Sequence, residues 1–198
     1  MSFDSIVQNA RQHHDVFAQD DREQLAAGQK PDVLFIGCSD SRVIPSRITG
    51  AGPGELFELR TAGNVVPKYD PNSATAEMGT IEYAVLQLKV PEIVVCGHSH
   101  CGAVTALSIA GRGLGELPAL CTWLGTDQRT GVQQVADPAV RTESKQHVCD
   151  QLDALREYPF IQDRIQSGDL RLHGWFYEID TGRVEQTPSD PRAEFLPL

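Results

Sequence analysis

Three kinds of apolar spacing recur along the chain. The first is a short unbroken run: Val33–Ile36 closes on Gly37, and Ile93–Cys96 closes on Gly97. Runs of this length, bounded by a turn residue, predict strands buried on both faces, as in a parallel sheet. Leu56–Arg60 predicts a further strand. The second spacing is helical. Met78, Ile81, Val85 and Leu88 predict an amphipathic helix over Ser73–Lys89, and Val148, Leu152 and Leu155 predict another over Glu143–Glu157, ended by Pro159. Phe3, Ile6, Ala10, Val16 and Phe17 give a broken helical pattern, read as one or two helices within Ser2–Ala27. Gly102–Ala110 predicts a helix opening directly after Cys101 and broken by Gly111–Gly115. Leu117–Gly125 and Val132–Ala136 carry weaker patterns, and Ile161–Gln166 a short helix stopped by Gly168. The third spacing is alternation. Leu170–Ile179 alternates through Leu172, Trp175 and Tyr177, and Asp180-Thr181-Gly182 predicts a hairpin turn to Val184.

Strand, helix and strand in succession, with Pro91 leading into the run at Ile93, is the grammar of a parallel sheet. The expected fold is therefore α/β, with a central, mostly parallel sheet flanked by helices. No repeat or linker divides residues 1–198, which read as one unit: a helical arm over 1–28 and a core over 29–198. The arm has few apolar positions, so it packs either on a partner subunit or on its own sheet. Gly28-Gln29-Lys30-Pro31 is a turn into the first strand. The connection Val43–Gly54 is rich in Gly and Pro, but its glycines do not make a dinucleotide fingerprint, because Glu55 stands where the third Gly belongs.

A formal net charge of −10, with no Lys/Arg cluster, argues against a nucleic-acid surface. No apolar run reaches membrane-spanning length and residues 1–30 are polar, so a cytoplasmic location is expected. Five cysteines, an odd number, fit reduced thiols used for metal binding or burial.

Two of those thiols carry the chemistry. Ligands of open α/β sheets bind beyond the carboxyl ends of the strands. Cys38, Asp40 and Arg42 follow one buried strand at that end, and His98 and Cys101 follow another. Two thiolates and an imidazole suit tetrahedral zinc, one ion per chain, and leave a fourth position for water or substrate. Zinc lowers the pKa of bound water from about 15.7 to near 7. Asp40 would accept a hydrogen bond from that hydroxide, or else take the fourth position itself and close the site. Arg42 is within reach to grip Asp40 bidentately. Each feature has a plainer counterpart. A lone H-x-x-C binds nothing in most proteins, a strand-end Cys is usually a small buried hydrophobe, and an Asp–Arg pair is usually a surface contact of little worth. Shared placement at two strand ends is what raises Cys38, His98 and Cys101 above that. Cys96 reads as core, Cys121 and Cys149 as helix packing, and His100 as a bystander or a proton-shuttle candidate by proximity. His13, His14 and His147 have no partner that sequence can name.

C-S-D-S-R at 38–42 together with C-G-H-S-x-C-G-A at 96–103 resembles the β-class carbonic anhydrases. The likeness continues through Pro53-Gly54-Glu55-Leu56-Phe57 with Arg60, through Ile81–Val85, and through Leu172-His173-Gly174-Trp175 with Tyr177, covering about residues 25–185. The resemblance implies a zinc enzyme that hydrates carbon dioxide reversibly to bicarbonate and a proton. Cys38, His98 and Cys101 would hold zinc, and Asp40 and Arg42 would form the catalytic dyad. Gln29 would hydrogen-bond substrate, and Phe57, Ala62 and Tyr83 would line an apolar pocket. It also implies dimers or tetramers, with amino-terminal helices embracing the neighbour and the pocket near the interface. The chain departs from the family at Thr61, where many members have Asn, and at Ala62, which is small for its place. Phe35 stands where bicarbonate-inhibited members carry Trp, although Arg60 and Tyr177 match the rest of that inhibitory pocket. Phe lacks the indole N–H that would meet an anion. The open, active form and weak bicarbonate inhibition are therefore expected. Ala62 keeps a second reading in view, hydrolysis of carbonyl sulfide or carbon disulfide. A third, a non-catalytic zinc or redox-sensing protein, has no use for an intact Asp40–Arg42 pair.

Overall fold

A computed structural model describes residues 1–16, 18–109, 116–125, 135–187 and 194–198. The segment Gly111–Gly115, the first part of the Val132–Ala136 pattern and Phe17 lie outside them. Six strands form one sheet in the order β2-β1-β3-β4-β5-β6: β1 is Val33–Cys38, β2 Leu56–Thr61, β3 Glu92–His98, β4 Arg171–Glu178, β5 Arg183–Gln186 and β6 Leu196–Pro197. The first four run parallel, and β5 and β6 are antiparallel additions at one edge.

β1 and β3 are buried along almost their whole length, as their unbroken apolar runs require. Alternate residues serve two layers. Leu34, Ile36, Ile93 and Val95 join the main core, which includes Ile81 and Val85 as well as Val148, Leu152 and Leu155 of helix α7 (Arg141–Arg156). Phe35, Val94 and Cys96 face the other way, against Trp175 and Tyr177. Helix α7 lies hard on the sheet. A Cβ added to Gly97 would stand 2.7 Å from Val148 Cγ2, and one on Gly174 would stand 2.9 Å from both Val148 and Leu152. Those glycines let the helix approach the carboxyl ends of β3 and β4.

The arm forms two helices, α1 (Phe3–Gln12) and α2 (Gln19–Ala26), separated by a 3₁₀ turn at His13–Asp15. Ser2 caps α1 through a reciprocal capping box with Ser5. Neither helix contains a buried residue, and Phe3 and Ile6 remain exposed, so the arm does not add to the core of its own sheet. The connection after β1 holds a short helix, α3 (Pro45–Thr49), where its Gly and Pro content predicts only turns; Pro45 sits at the start and left-handed Gly50 at the end, both places where a helix favours them.

The helix expected over Ser73–Lys89 is narrower and changes character. Helix α4 (Ala76–Glu82), capped by Thr75, passes into a π-helical turn at Tyr83–Gln87. Widening the turn frees carbonyls from their usual partners. The Arg164 guanidinium takes up one of them, donating to Val85 O at 2.8 Å, and also reaches Val90 O, just beyond the turn, at 3.1 Å. Arg164 belongs to α8 (Pro159–Gln166), which Pro159 starts after ending α7. Two further helices, α5 (Gly102–Ser108) and α6 (Pro118–Leu124), match their expected places.

Candidate metal centre

The parallel register sets the site. Gly37 pairs with Cys96 across β1 and β3, so Cys38 ends its strand one residue short of the level of His98. Both loops that leave this edge continue the ladder briefly before diverging. Ser39 N–H donates to Thr61 O at 2.9 Å, and Ser99 N–H to Tyr177 O at 3.1 Å. Cys101 then begins α5. The result is a buried trio: Cys38, His98 and Cys101 offer ligand atoms that all lie within 4.8 Å of one another.

The His98 ring is fully buried and its Nδ1 lies 2.8 Å from Ser99 O. A carbonyl only accepts, so Nδ1 carries the proton and Nε2 is a bare lone pair. Nε2 has no hydrogen-bond partner among the described residues. Burying such an atom unpaired costs about 1–3 kcal/mol, and a metal ion beside two thiols removes that cost. The second ring nitrogen tied to a carbonyl is also how metal-ligating histidines are oriented. The thiols fit the same role. A hydrogen bond from Cys101 draws Cys38 down to about 4 against the opposing effect of burial, with the backbone N–H groups of Gly63 and Asp40 adding to the effect. That same bond, with burial, pushes Cys101 upward. Two thiols and an imidazole thus form a soft donor set able to hold a metal ion.

Asp40 and Arg42 form the predicted bidentate pair. Arg42 Nε donates to Asp40 Oδ1 at 2.9 Å, Nη2 to Oδ2 at 2.7 Å, and the Arg42 backbone N–H also reaches Oδ1. These bonds hold the Asp40 carboxyl well below the usual carboxylate range, against a smaller effect of burial. The loop is locked from below by a residue the sequence marks only through its resemblance. Arg60 donates to the carbonyls of Cys38, Asp40 and Val43 at 2.7–2.9 Å through Nη2, and to Cys38 again through Nε.

From the other side, Arg42 Nη2 reaches His100 O at 3.1 Å. His100 is left-handed, with φ 58°, and its ring contacts Asp180 Oδ2 at 2.8 Å. Asp180, Glu178 and Asp137 all pair with Arg141. His100, Glu178 and Asp180 are close enough to resemble a second cation site, but that guanidinium already neutralises them. Val140, also left-handed at φ 46° although β-branched, is fully buried against Cys38 and Cys101. Strain of this kind costs roughly 1–3 kcal/mol and is held only where surroundings enforce it. Here Asp137 does so: its carbonyl accepts from Val140 N–H at 2.8 Å and its carboxylate from Ala139 N–H at 2.9 Å. No spacing rule points to Val140.

One chain does not bring together every residue expected in the site. Ala62 follows β2 beside Cys38, with its carbonyl accepting from Trp123 Nε1. Phe57 pairs instead with Leu34, near the start of its strand. It lies four residues before Thr61, a distance of roughly 13 Å along a strand. Tyr83 stacks on it, with ring centroids 5.9 Å apart, and is 46% exposed. Gln29 is exposed just ahead of β1. These three residues sit at the amino ends of the strands, away from the Cys38–His98–Cys101 group. Cys96 is core, as expected, and Cys149 is buried on α7. His147, for which sequence names no partner, contacts Gly63 O at 2.7 Å.

The chain thus presents a parallel α/β sheet carrying, at its carboxyl edge, a Cys–His–Cys group able to hold a metal ion and a carboxylate–guanidinium pair. The family model described as carbonic anhydrase matches residues 33–184, and the chain belongs to that family. A carbonic anhydrase of Synechococcus elongatus is 39% identical over 183 residues, covering 88% of this chain and 64% of that protein, so this chain spans less than two thirds of its relative. Among solved structures, the β-carbonic anhydrase CcaA superposes with a TM-score of 0.85 at 34% identity, over 98% of this chain and 89% of that one. A tetrameric β-carbonic anhydrase from Sordaria macrospora gives a TM-score of 0.71 at 32% identity, with 92% of each chain covered.

Proposed function

We propose that this chain is a zinc-dependent carbonic anhydrase that catalyses reversible hydration of carbon dioxide to bicarbonate and a proton. The observation that carries the reading is the buried, unpartnered Nε2 of His98 among the thiols of Cys38 and Cys101. Those three residues would hold one Zn²⁺ per chain, which when bound supplies a Lewis acid that lets water ionise near neutral pH. Asp40 stays ionised because Arg42 occupies both its oxygens. Its remaining lone pairs accept a hydrogen bond from the attacking water and orient it, but do not take its proton. Arg60 and His100 hold that dyad in place through backbone carbonyls.

The apolar half of the pocket would come from a second copy. Gln29, Phe57 and Tyr83 are too far from the metal end of their own chain and stand exposed or half-buried at its other end. The arm 1–28, with its uncovered Phe3 and Ile6, would bind that copy, in a dimer or a tetramer, while 29–198 forms the catalytic core. Five free thiols suit a cytoplasmic setting, and no described helix is long and apolar enough to cross a membrane. No observation favours carbonyl sulfide or carbon disulfide as substrate. The bidentate Asp40–Arg42 pair supports the open form. Arg60, already donating to three carbonyls, and Phe35, with no N–H, support weak bicarbonate inhibition.

The test is stopped-flow carbon dioxide hydration with zinc quantified on the same sample and bicarbonate titrated into the assay. Fast turnover, lost on chelation and in Cys101→Ser, is expected, with no inhibition beyond that of an ordinary product. A chain with one zinc and no hydration would overturn the assignment.

A further inference from the structure

We infer that His147 of α7 is a positioning residue for Cys38, acting through Gly63; the inference rests on the proposed metal site. Gly63 lies in the tight turn that follows β2. Its N–H donates to Cys38 Sγ at 3.4 Å, and its carbonyl accepts from His147 Nε2 at 2.7 Å. One residue therefore links the thiolate on one side to a buried imidazole on the other, across two peptide planes that meet at its Cα: the plane of the N–H also carries Ala62 O, which accepts from Trp123 Nε1 at 3.1 Å, and the next plane is the one His147 holds. Because a carbonyl cannot donate, the His147 proton sits on Nε2. Nδ1 then faces Gln151 Nε2 at 3.4 Å, and Gln151 Oε1 accepts from Val66 N–H at 2.7 Å. Helix α7 thus grips the turn at two points, Gly63 and Val66, one helical turn apart on the same face.

The turn needs such a grip. Gly63 has φ 76°, and a Cβ on it would stand 2.9 Å from Ala103 Cβ, so it has no side chain to anchor it and no room for one. Only hydrogen bonds fix the two peptide planes that meet at Gly63, Trp123 holding the one before it and His147 the one after, and together they decide whether the N–H points at sulfur. Both His147 and Gln151 are more than nine-tenths buried, which removes water as a substitute partner. An N–H donor withdraws charge from a metal-bound thiolate. Partners of this outer kind change metal affinity by about 10–100-fold when removed.

The experiment uses the full chain with cobalt(II) in place of zinc. The readouts are the sulfur-to-cobalt charge-transfer band and the rate of zinc release to a chelator. In His147→Ala the band moves to longer wavelength, because the sulfur becomes a better electron donor, and zinc leaves roughly tenfold faster, because the more basic, less firmly placed thiolate detaches and protonates more readily. His147→Asn, which keeps a side-chain N–H donor, restores both most of the way. A folded His147→Ala with the wild-type band, and zinc release within about twofold of wild type, would overturn the inference. Should His147→Ala not fold, Gln151→Leu carries the same test with a smaller shift in the same direction. A wild-type chain that takes up no cobalt would overturn the metal site itself, which the His147 comparison does not address.

Discussion

The two ends of the parallel strands are built from the same kind of material and do opposite things. At the carboxyl ends, polar groups are tied down whether buried or half-buried: Cys38, His98 and Asp40 are held by at least one hydrogen bond each, and Arg60, Arg141 and His147 are spent on keeping loops still. At the amino ends, Phe57 and Tyr83 pair with each other and stay partly open, and Gln29 is exposed. Rigidity collects where charge must be placed, and uncovered apolar surface collects where something remains to be bound. The proposed site, which needs both a fixed ligand set and a dry wall, would in one chain be left in two halves.

The sharpest way to break this contrast is to disarm the carboxyl end without emptying it. Asp40→Asn keeps shape and removes charge. Its kcat should fall by about 10²–10³-fold, the scale expected for a group that orients charge in the transition state, with zinc content unchanged. Wild-type kcat in that variant would mean that the dyad has only a structural role. At the other end the effect should be smaller and should act in trans. Replacing both Phe57 and Tyr83 by Ala should cost roughly tenfold in kcat/KM, the loss of apolar positioning worth about 1.4 kcal/mol. Co-expression with Cys101→Ser should then recover activity, because each hybrid dimer contains one intact metal half facing one intact wall. Hybrids with no recovery would remove the two-copy pocket.

The smallest effect contrasts two thiols at one edge. Cys38 is drawn down to about 4 by its hydrogen bonds, whereas burial pushes Cys96, on the neighbouring strand, up to about 12. A raised thiol favours the fold while the unfolded chain also keeps its proton. Its contribution is therefore complete below about pH 9 and is lost as pH rises towards 12, at up to about 1.4 kcal/mol per unit. Urea unfolding of Cys96→Val across pH 8–11 should show a flatter alkaline decline than wild type. Equal slopes would mean that Cys96 does not govern that limb.

Much of this was legible beforehand. Runs such as Val33–Ile36 and Ile93–Cys96 are local patterns with one stable solution, a strand covered on both faces. The ligands follow them within a few residues, so their end of the sheet is fixed with the strands. The hairpin at Asp180–Gly182 and the helix at Glu143–Glu157 were legible for the same reason. The π turn at Tyr83–Gln87 was not, because its cost is relieved by Arg164, which is distant in the chain. Helix α3 was hidden because Pro and Gly mark turns and short helix ends alike.

The sequence by itself determined which residues would gather into a group able to hold a metal and at which edge they would stand, since periodicity and a terminating glycine act over a handful of residues. Only the tertiary structure decided what holds them and what they lack. Register between strands placed Arg60 under the Cys38 loop, helix packing brought His147 to Gly63 and forced Val140 into a strained turn over the thiols, and strand length set Phe57 apart from the metal end. Those outcomes depend on contacts between residues tens of positions apart, and no local pattern carries that information.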